Sequence, residues 1–364
     1  MDVAQLPKIS ADTHVDEPHD LWFERLPASM RDQAPRRITP TGEGSWVLVV
    51  NGESVGWGGM SPSDAKVKEQ ERIGNIRPDV RLDMMRTDGI RGETVFPTIG
   101  LFVWSLSDPE VGRTACVIYN DWIRERLGGN DRIRLNLMVP TWDLDMAIAE
   151  IERVADDPSC GGLLLPIAGT PDWNRPEWEP LWGVIAATGK PAVMHQGTGH
   201  DMMFYRGWGS PTVNVLATQS MAPRTTGLLA CSGVLERHPD LHVVLAEVNG
   251  GWMAWTMQVL DEYYRAHSSW SKPKLAEMPS HYIQRQVHAT FQSDHVALHN
   301  VPVTGADCLM WANDYPHPEG IYPHSNKVLE EILVGVPDDV AQQILIENAA
   351  KIFGFSDDVV ATAV

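Results

Sequence analysis

No two of the four cysteines, Cys116, Cys160, Cys231 and Cys308, stand close enough to form a CxxC pair. That excludes a dithiol redox motif and a compact thiolate zinc site, and reduced thiols are expected. Also missing is any apolar run of the roughly 20 residues that a membrane-spanning helix needs, because charges, glycines or prolines interrupt each one. The opening stretch MDVAQLPKIS has neither the basic nor the apolar region of a secretory signal. A cytoplasmic location is expected. Positive charge is scarce: 29 Lys and Arg face 48 Asp and Glu, a net charge of -19. Such a chain has no general electrostatic reason to bind nucleic acid or an anionic membrane surface. A small-molecule partner fits better. Low-complexity segments and linkers are absent as well, so residues 1–364 read as one domain with a large core.

What is present is a repeat of short apolar runs and longer amphipathic ones. The runs are LPKISADTH (6–14), ETVFP (93–97), RIRLNLMVP (132–140), GGLLLP (161–166), KPAVMHQ (190–196), LHVVLAEV (241–248), VHATF (287–291) and CLMWAND (308–314). Between them, apolar residues recur at three and four in Asp108 to Leu127, Asp143 to Ala155, Trp178 to Thr188 and Trp252 to Ala266, which predicts helices. Eight strand-and-helix repeats in one domain predict a (β/α)8 TIM barrel, with a doubly wound open sheet as the alternative. Two stretches fall outside the repeat. Residues 42–60, within an insertion of about 40–60, read as a hairpin turning at Asn51-Gly52 after the first strand and roofing the barrel mouth. Residues 267–286 read as a long polar excursion between strands six and seven. The closing DDVAQQILIENAAKIFGF reads as two short helices.

In such a barrel the C-terminal ends of all strands meet at one mouth. Strand one ends on Asp12, Thr13 and His14, strand five on His195, strand six on Glu247 and strand eight on Asp314. Side chains alternate along a strand, so Asp12 and His14 point to the same side. Three carboxylates buried together repel and are costly to desolvate, and a divalent cation removes that cost. Mixed imidazole and carboxylate donors suit zinc first, then manganese or iron, and suit magnesium and calcium less. The expected ligands of one divalent ion are Asp12, His14, His195 and Asp314. His238, His242, His267, His281, His288, His295 and His299 have no partner at ligand spacing and read as structural. His19, His200, His317 and His324 fall in mouth loops and are candidate substrate contacts.

The segments ADTHVDEP, VMHQGTG, HPDLHVVLAEVNGGWMAW and NDYPHPEG resemble the amidohydrolase-related family that includes aminocarboxymuconate-semialdehyde decarboxylase, over about Ile9 to Phe353. The resemblance implies a (β/α)8 barrel with one metal at its mouth, held by the same four residues. One departure matters. Where the decarboxylases carry a strand-six histidine, this chain reads AEVNGGW, with Glu247 in its place. Two chemistries share the expected site. In hydrolysis an ion activates water and polarises a carbonyl while Glu247 or Asp314 moves protons; in non-oxidative decarboxylation an acid protonates the carbon that loses carbon dioxide. An ionised Glu247 is a base rather than a carbon acid, so hydrolysis is the expectation and decarboxylation the alternative, with a barrel that only binds ligand as a third reading. His317, three residues after Asp314, is a further candidate catalytic residue or a partner to a carboxylate. Trp57, Trp104, Trp208, Trp252 and Phe204 suggest an aromatic or planar substrate, and Arg206 and Arg224 are candidate carboxylate contacts. Tryptophan-rich insertions predict a homodimer or higher homo-oligomer.

Overall fold

The computed structural model describes residues 3–38, 46–59, 76–169, 171–200, 204–317 and 319–364. Eight strands form one parallel sheet: β1 (Lys8–Val15), β5 (Ile90–Pro97), β6 (Ile133–Met138), β7 (Cys160–Pro166), β8 (Ala192–His195), β9 (Val243–Ala246), β10 (Val287–Phe291) and β11 (Leu309–Trp311), hydrogen-bonded in that order. All seven pairings between neighbours are parallel. This is the expected (β/α)8 barrel. The sheet closes just beyond the last ladder, where Asp314 N–H donates to Asp12 O (3.0 Å) and His14 N–H to Tyr315 O (2.6 Å). The aspartate at the end of the final run therefore helps shut the barrel.

The strands read as continuous apolar runs because both of their faces are covered. Every residue of β6, β7, β8, β9 and β10 is buried. The predicted helices appear as Pro109–Leu127, Leu144–Val154, Glu179–Thr188 and Trp252–Ala266. Local chemistry sets their ends: Asp108 and Asp143 each accept two backbone N–H groups of the first turn, and Gly189, at φ 67°, takes the left-handed stop of its helix. Among the described residues no helix is long and apolar enough to cross a membrane.

The hairpin turns at Asn51 (φ 55°) and Gly52 (φ 77°), both left-handed as a tight strand reversal needs. It joins β3 (Trp46–Val50) to β4 (Glu53–Gly59), and β2 (Arg36–Ile38) pairs on the far side of β3, giving three antiparallel strands where two were expected. Residues 42–45 and 60 and the Trp57 side chain lie outside the description. The small sheet leans on the mouth loops of the first two barrel strands: Arg37 pairs with Asp16, and the Asn51 amide donates to Ser105 O (2.8 Å). Within the 267–286 excursion, Pro279–Gln286 is helical. The C-terminal stretch is one nearly continuous helical run, not two helices. A wide π turn at Gln343–Glu347 joins Asp338–Gln342 to Asn348–Phe353 and buries Ile344, Leu345 and Ile346. A second correction concerns His242 and His288. They are partners after all, with Nδ1 and Nε2 3.0 Å apart where β9 and β10 begin, because parallel register sets those strand starts side by side.

Candidate metal centre

Asp12 and His14 point into the barrel, whereas Thr13 between them faces outward and donates to Thr94 O (2.7 Å). From outside, buried Arg81 braces the same strand, donating to His14 O (2.9 Å) and Thr13 Oγ1 (2.8 Å) and pairing with Glu93. The strand that carries two donors is thus held from both sides. His195 is the last residue of β8. Glu247 and Asp314 lie past the ends of β9 and β11, one and three residues beyond, and both adopt left-handed backbone, φ 57° and 56°. That conformation costs a non-glycine residue roughly 1–3 kcal/mol and persists where surrounding structure imposes it, as it does around functional groups. Here the neighbours of Glu247 are visible: its N–H donates to Thr290 Oγ1 (2.8 Å), and its carbonyl accepts from Gln219 Nε2 (3.2 Å).

Simple valence sets His14 and His195 to face a cation. His14 Nδ1 faces Pro97 O and His195 Nδ1 faces Gln196 O, each at 2.8 Å. Carbonyls only accept, so both Nδ1 atoms carry the proton and both Nε2 atoms present lone pairs. Those lone pairs converge at 3.1 Å. Burial holds both rings neutral, pushing His14 well below the ordinary imidazole range and His195 down to about 3, so no proton sits between them. Two nitrogens bonded to one tetrahedral zinc lie about 3.3 Å apart, a spacing close to this one.

The carboxylates complete the fit. His14 Nε2 is 3.5 Å from both Asp12 Oδ1 and Asp314 Oδ1, and His195 Nε2 is 3.3 Å from Glu247 Oε2 and 3.8 Å from Asp12 Oδ1. Asp12 Oδ1 and both oxygens of Asp314 are buried and complete no hydrogen bond. Burial drives Asp12, Glu247 and Asp314 toward the neutral acid, Glu247 further through the charge of Asp314, and Asp314 through that of Asp12. The donor set fits a divalent cation, which would offset the cost of these buried carboxylates.

All six expected residues meet at the mouth, in two overlapping groups. Single donor atoms of Asp12, His14 and His195 lie within 4.8 Å of one another, as do those of His14, Glu247, Asp314 and His317. His317 stacks on His14 with ring centroids 3.9 Å apart, and its Nδ1 is 3.3 Å from Asp314 Oδ1. Other expected contacts stand apart from these groups. Arg206, Arg224, His19 and His324 are exposed, and Trp208 is fully so. His200 stacks on Phe204 at 5.4 Å. Trp104 and Trp252 are partly buried, their indoles donating to Val139 O and Asn249 O.

Three residues that support the site escape a reading of the sequence. Thr290 accepts the Glu247 N–H and donates to Asp12 Oδ2 (3.2 Å), tying two donor residues together. Its only signal was an inward position in a strand already assigned. Thr98 Oγ1 lies 3.2 Å from His317 Nε2. Buried Glu17 in turn accepts from the N–H groups of Thr98, Ile99 (2.8 Å) and Gly100 (3.0 Å) and so fixes that loop.

A family model described as Amidohydrolase matches residues 11–355. A search of the curated proteins finds no match. Among solved structures, an amidohydrolase from Mycobacterium avium subsp. paratuberculosis K-10 aligns with a TM-score of 0.81 at 19% identity, covering 97% of this chain and 99% of that one. The 5-carboxyvanillate decarboxylase of Sphingomonas paucimobilis aligns at 0.68 with 22% identity over 97% and 100% of the two chains. A dihydroxybenzoic acid decarboxylase from Polaromonas sp. JS666, with bound manganese and the inhibitor 2-nitroresorcinol, aligns at 0.66 with 16% identity over 98% and 100%. These likenesses extend the barrel, end to end, to proteins of low sequence identity.

Proposed function

Because the chain belongs to the amidohydrolase family, we propose that it is a metal-dependent enzyme hydrolysing a small, aromatic or cyclic substrate. The observation that carries this reading is the Glu247 carboxyl, held by a left-handed backbone 3.3 Å from the His195 nitrogen that faces the donor cluster. Asp12, His14, His195 and Asp314 would hold the ion. Zinc suits these donors, and manganese, present in the Polaromonas relative, suits them equally. When bound, the divalent ion supplies Lewis acidity, making a water more acidic and a carbonyl more electrophilic.

The protein's own groups do the rest. Burial pushes Glu247 toward the neutral acid; beside a bound cation it would stay ionised, and a Glu247 oxygen would then take a proton from the attacking water and return it to the leaving group. Asp314 adds negative charge opposite His317, whose ring Thr98 and His14 hold in place. Decarboxylation is the second reading, favoured by the two decarboxylases among the relatives named above. In that chemistry a protonated Glu247 would deliver its proton to carbon.

One screen separates these readings. Metal-replete protein is offered amides, lactones, vinylogous acids and hydroxybenzoates, and carbon dioxide is measured beside hydrolytic products. Hydrolytic turnover without carbon dioxide is the expected result. Carbon dioxide release from an aromatic acid would overturn hydrolysis in favour of the second reading, and no turnover with metal loaded would leave a binding barrel.

A further inference from the structure

We propose that Glu17 is a positioning residue for the mouth: its carboxylate pins the loop that follows β5, and that loop holds the His317 ring in place through Thr98. The inference deepens the hydrolytic reading and rests on it for the task of the held ring, which keeps Nδ1 turned toward Asp314 (3.3 Å) in the group that includes Glu247.

His317 needs such a hold more than its neighbours do. Its side chain is 18% exposed, against 9% for Glu247 and 1% or less for Asp12, His14, His195 and Asp314. One ring face lies on His14, with centroids 3.9 Å apart. A stack touches the face and leaves the edge free. The contact on that edge is Thr98 Oγ1, 3.2 Å from Nε2.

Thr98 lies where the sheet ladder stops. Pairing between β1 and β5 ends at Val15 and Pro97, so residues 98–100 run past the sheet with three backbone N–H groups to satisfy. One acceptor serves all three. Buried Glu17 accepts from Thr98 N–H at Oε1 (3.2 Å) and Oε2 (3.3 Å), from Ile99 N–H at Oε2 (2.8 Å) and from Gly100 N–H at Oε1 (3.0 Å). Backbone donors to an ionised carboxylate make charge-assisted bonds, stronger than those between neutral groups. Gly100 permits the approach, since a Cβ there would meet Glu17 Oε1 at 3.0 Å and Pro97 Cβ at 2.6 Å. His14, by contrast, finds its Nδ1 acceptor in Pro97 O (2.8 Å), inside the ladder. Loss of Glu17 should therefore free His317 and leave His14 as it is.

The clamp also responds to pH. Burial raises the Glu17 carboxyl from 4.5 to about 7, with the N–H bonds pulling it down and Asp16 adding to the rise. Tyr119, on the helix Pro109–Leu127, places a buried hydroxyl in the field of the same carboxylate. Protonation turns one accepting oxygen into a donor, and an N–H group loses its partner. The loop is fastened above about pH 7 and loosened below it.

The test uses the zinc-loaded full chain and compares wild type with Glu17→Gln, Thr98→Val, the double variant and Thr98→Ser. Metal content should stay near one equivalent in every variant. Hydrogen exchange of the peptide carrying residues 98–100, corrected for intrinsic pH dependence, should titrate near pH 7 in wild type and become fast and flat in Glu17→Gln. The His317 signal in histidine-ring nitrogen NMR, identified by its absence from His317→Gln, should move alike in Glu17→Gln and Thr98→Val and return in Thr98→Ser. For a substrate that the screen identifies, kcat should fall about 10–100-fold in either single variant with KM little changed. The double variant should be no slower than the singles, because both act along one connection. Wild-type exchange in Glu17→Gln, an unmoved His317 signal, or losses that multiply in the double variant overturns the proposal. Exchange and ring changes as expected in a protein that hydrolyses nothing would refute the hydrolytic reading and leave the tether standing.

Discussion

In the proposed hydrolysis, Glu247 is the residue on which the chemistry turns. Glu247→Gln preserves size and most hydrogen bonding while removing the basic oxygen, and the left-handed backbone that carries it is held by Thr290 and Gln219 rather than by its own side chain. The variant should keep its tightly held ion and its substrate affinity and lose about 10²-fold or more in turnover, the usual share of a positioned acid or base. Near-normal turnover with metal retained would return Glu247 to a supporting role. At the opposite end of β1 a different buried charge affects stability. Lys8 donates to Val3 O (3.3 Å) and Leu6 O (3.0 Å), and burial lowers its pKa from 10.5 to about 8. The folded pKa lies below the unfolded one, so the ammonium destabilises the fold at neutral pH, and that cost is relieved as pH rises from about 8 toward 10.5. Across that window wild type should gain up to about 3 kcal/mol relative to Lys8→Met in denaturant unfolding. Parallel pH profiles for the two proteins would contradict the assignment.

At the scale of elements, most of the barrel was legible. All eight apolar runs became strands, because a strand covered on both faces must be continuously apolar, and Asn51-Gly52 announced its turn through the left-handed conformations it demands. Strand ends also pointed to the cluster, since topology alone brings Asp12, His14, His195, Glu247 and Asp314 to one mouth. What stayed hidden was whatever depends on a neighbour in space. The pairing of His242 with His288 follows from register, and β2 is only three residues long. The links from Thr290 to Asp12 and from Glu17 through Thr98 to His317 join residues that no spacing relates. Thr290 offers a test of that hidden layer. Thr290→Val keeps the shape but removes the hydroxyl that accepts the Glu247 N–H and donates to Asp12 Oδ2, so metal affinity should fall roughly 10–100-fold, with Thr290→Ser restoring most of it. Unchanged affinity in the valine variant would show that the strand alone positions Asp12.

For the whole molecule, the outer surface and the mouth lead to separate expectations. Beyond β8, Phe204, Tyr205, Trp208, Val213, Val215 and Leu216 are exposed together along one loop and the helix Ser210–Gln219 that follows it. Large apolar side chains exposed at several positions of one short stretch are more than a monomer usually leaves to solvent. The proposal of a homodimer rests on them, and light scattering at micromolar concentration should give twice the 40.4 kDa of the chain, with a single-chain mass refuting it. The mouth is the centre of the account, because the converging His14 and His195 lone pairs and the bare Asp314 carboxylate make sense around a cation. Its most direct test is the metal content of protein purified without chelator, measured beside turnover before and after chelation and for His195→Ala. About one tightly held divalent equivalent per chain is expected, largely lost in His195→Ala, with turnover that disappears on chelation and returns on reloading. A metal-free protein that is fully active would contradict it.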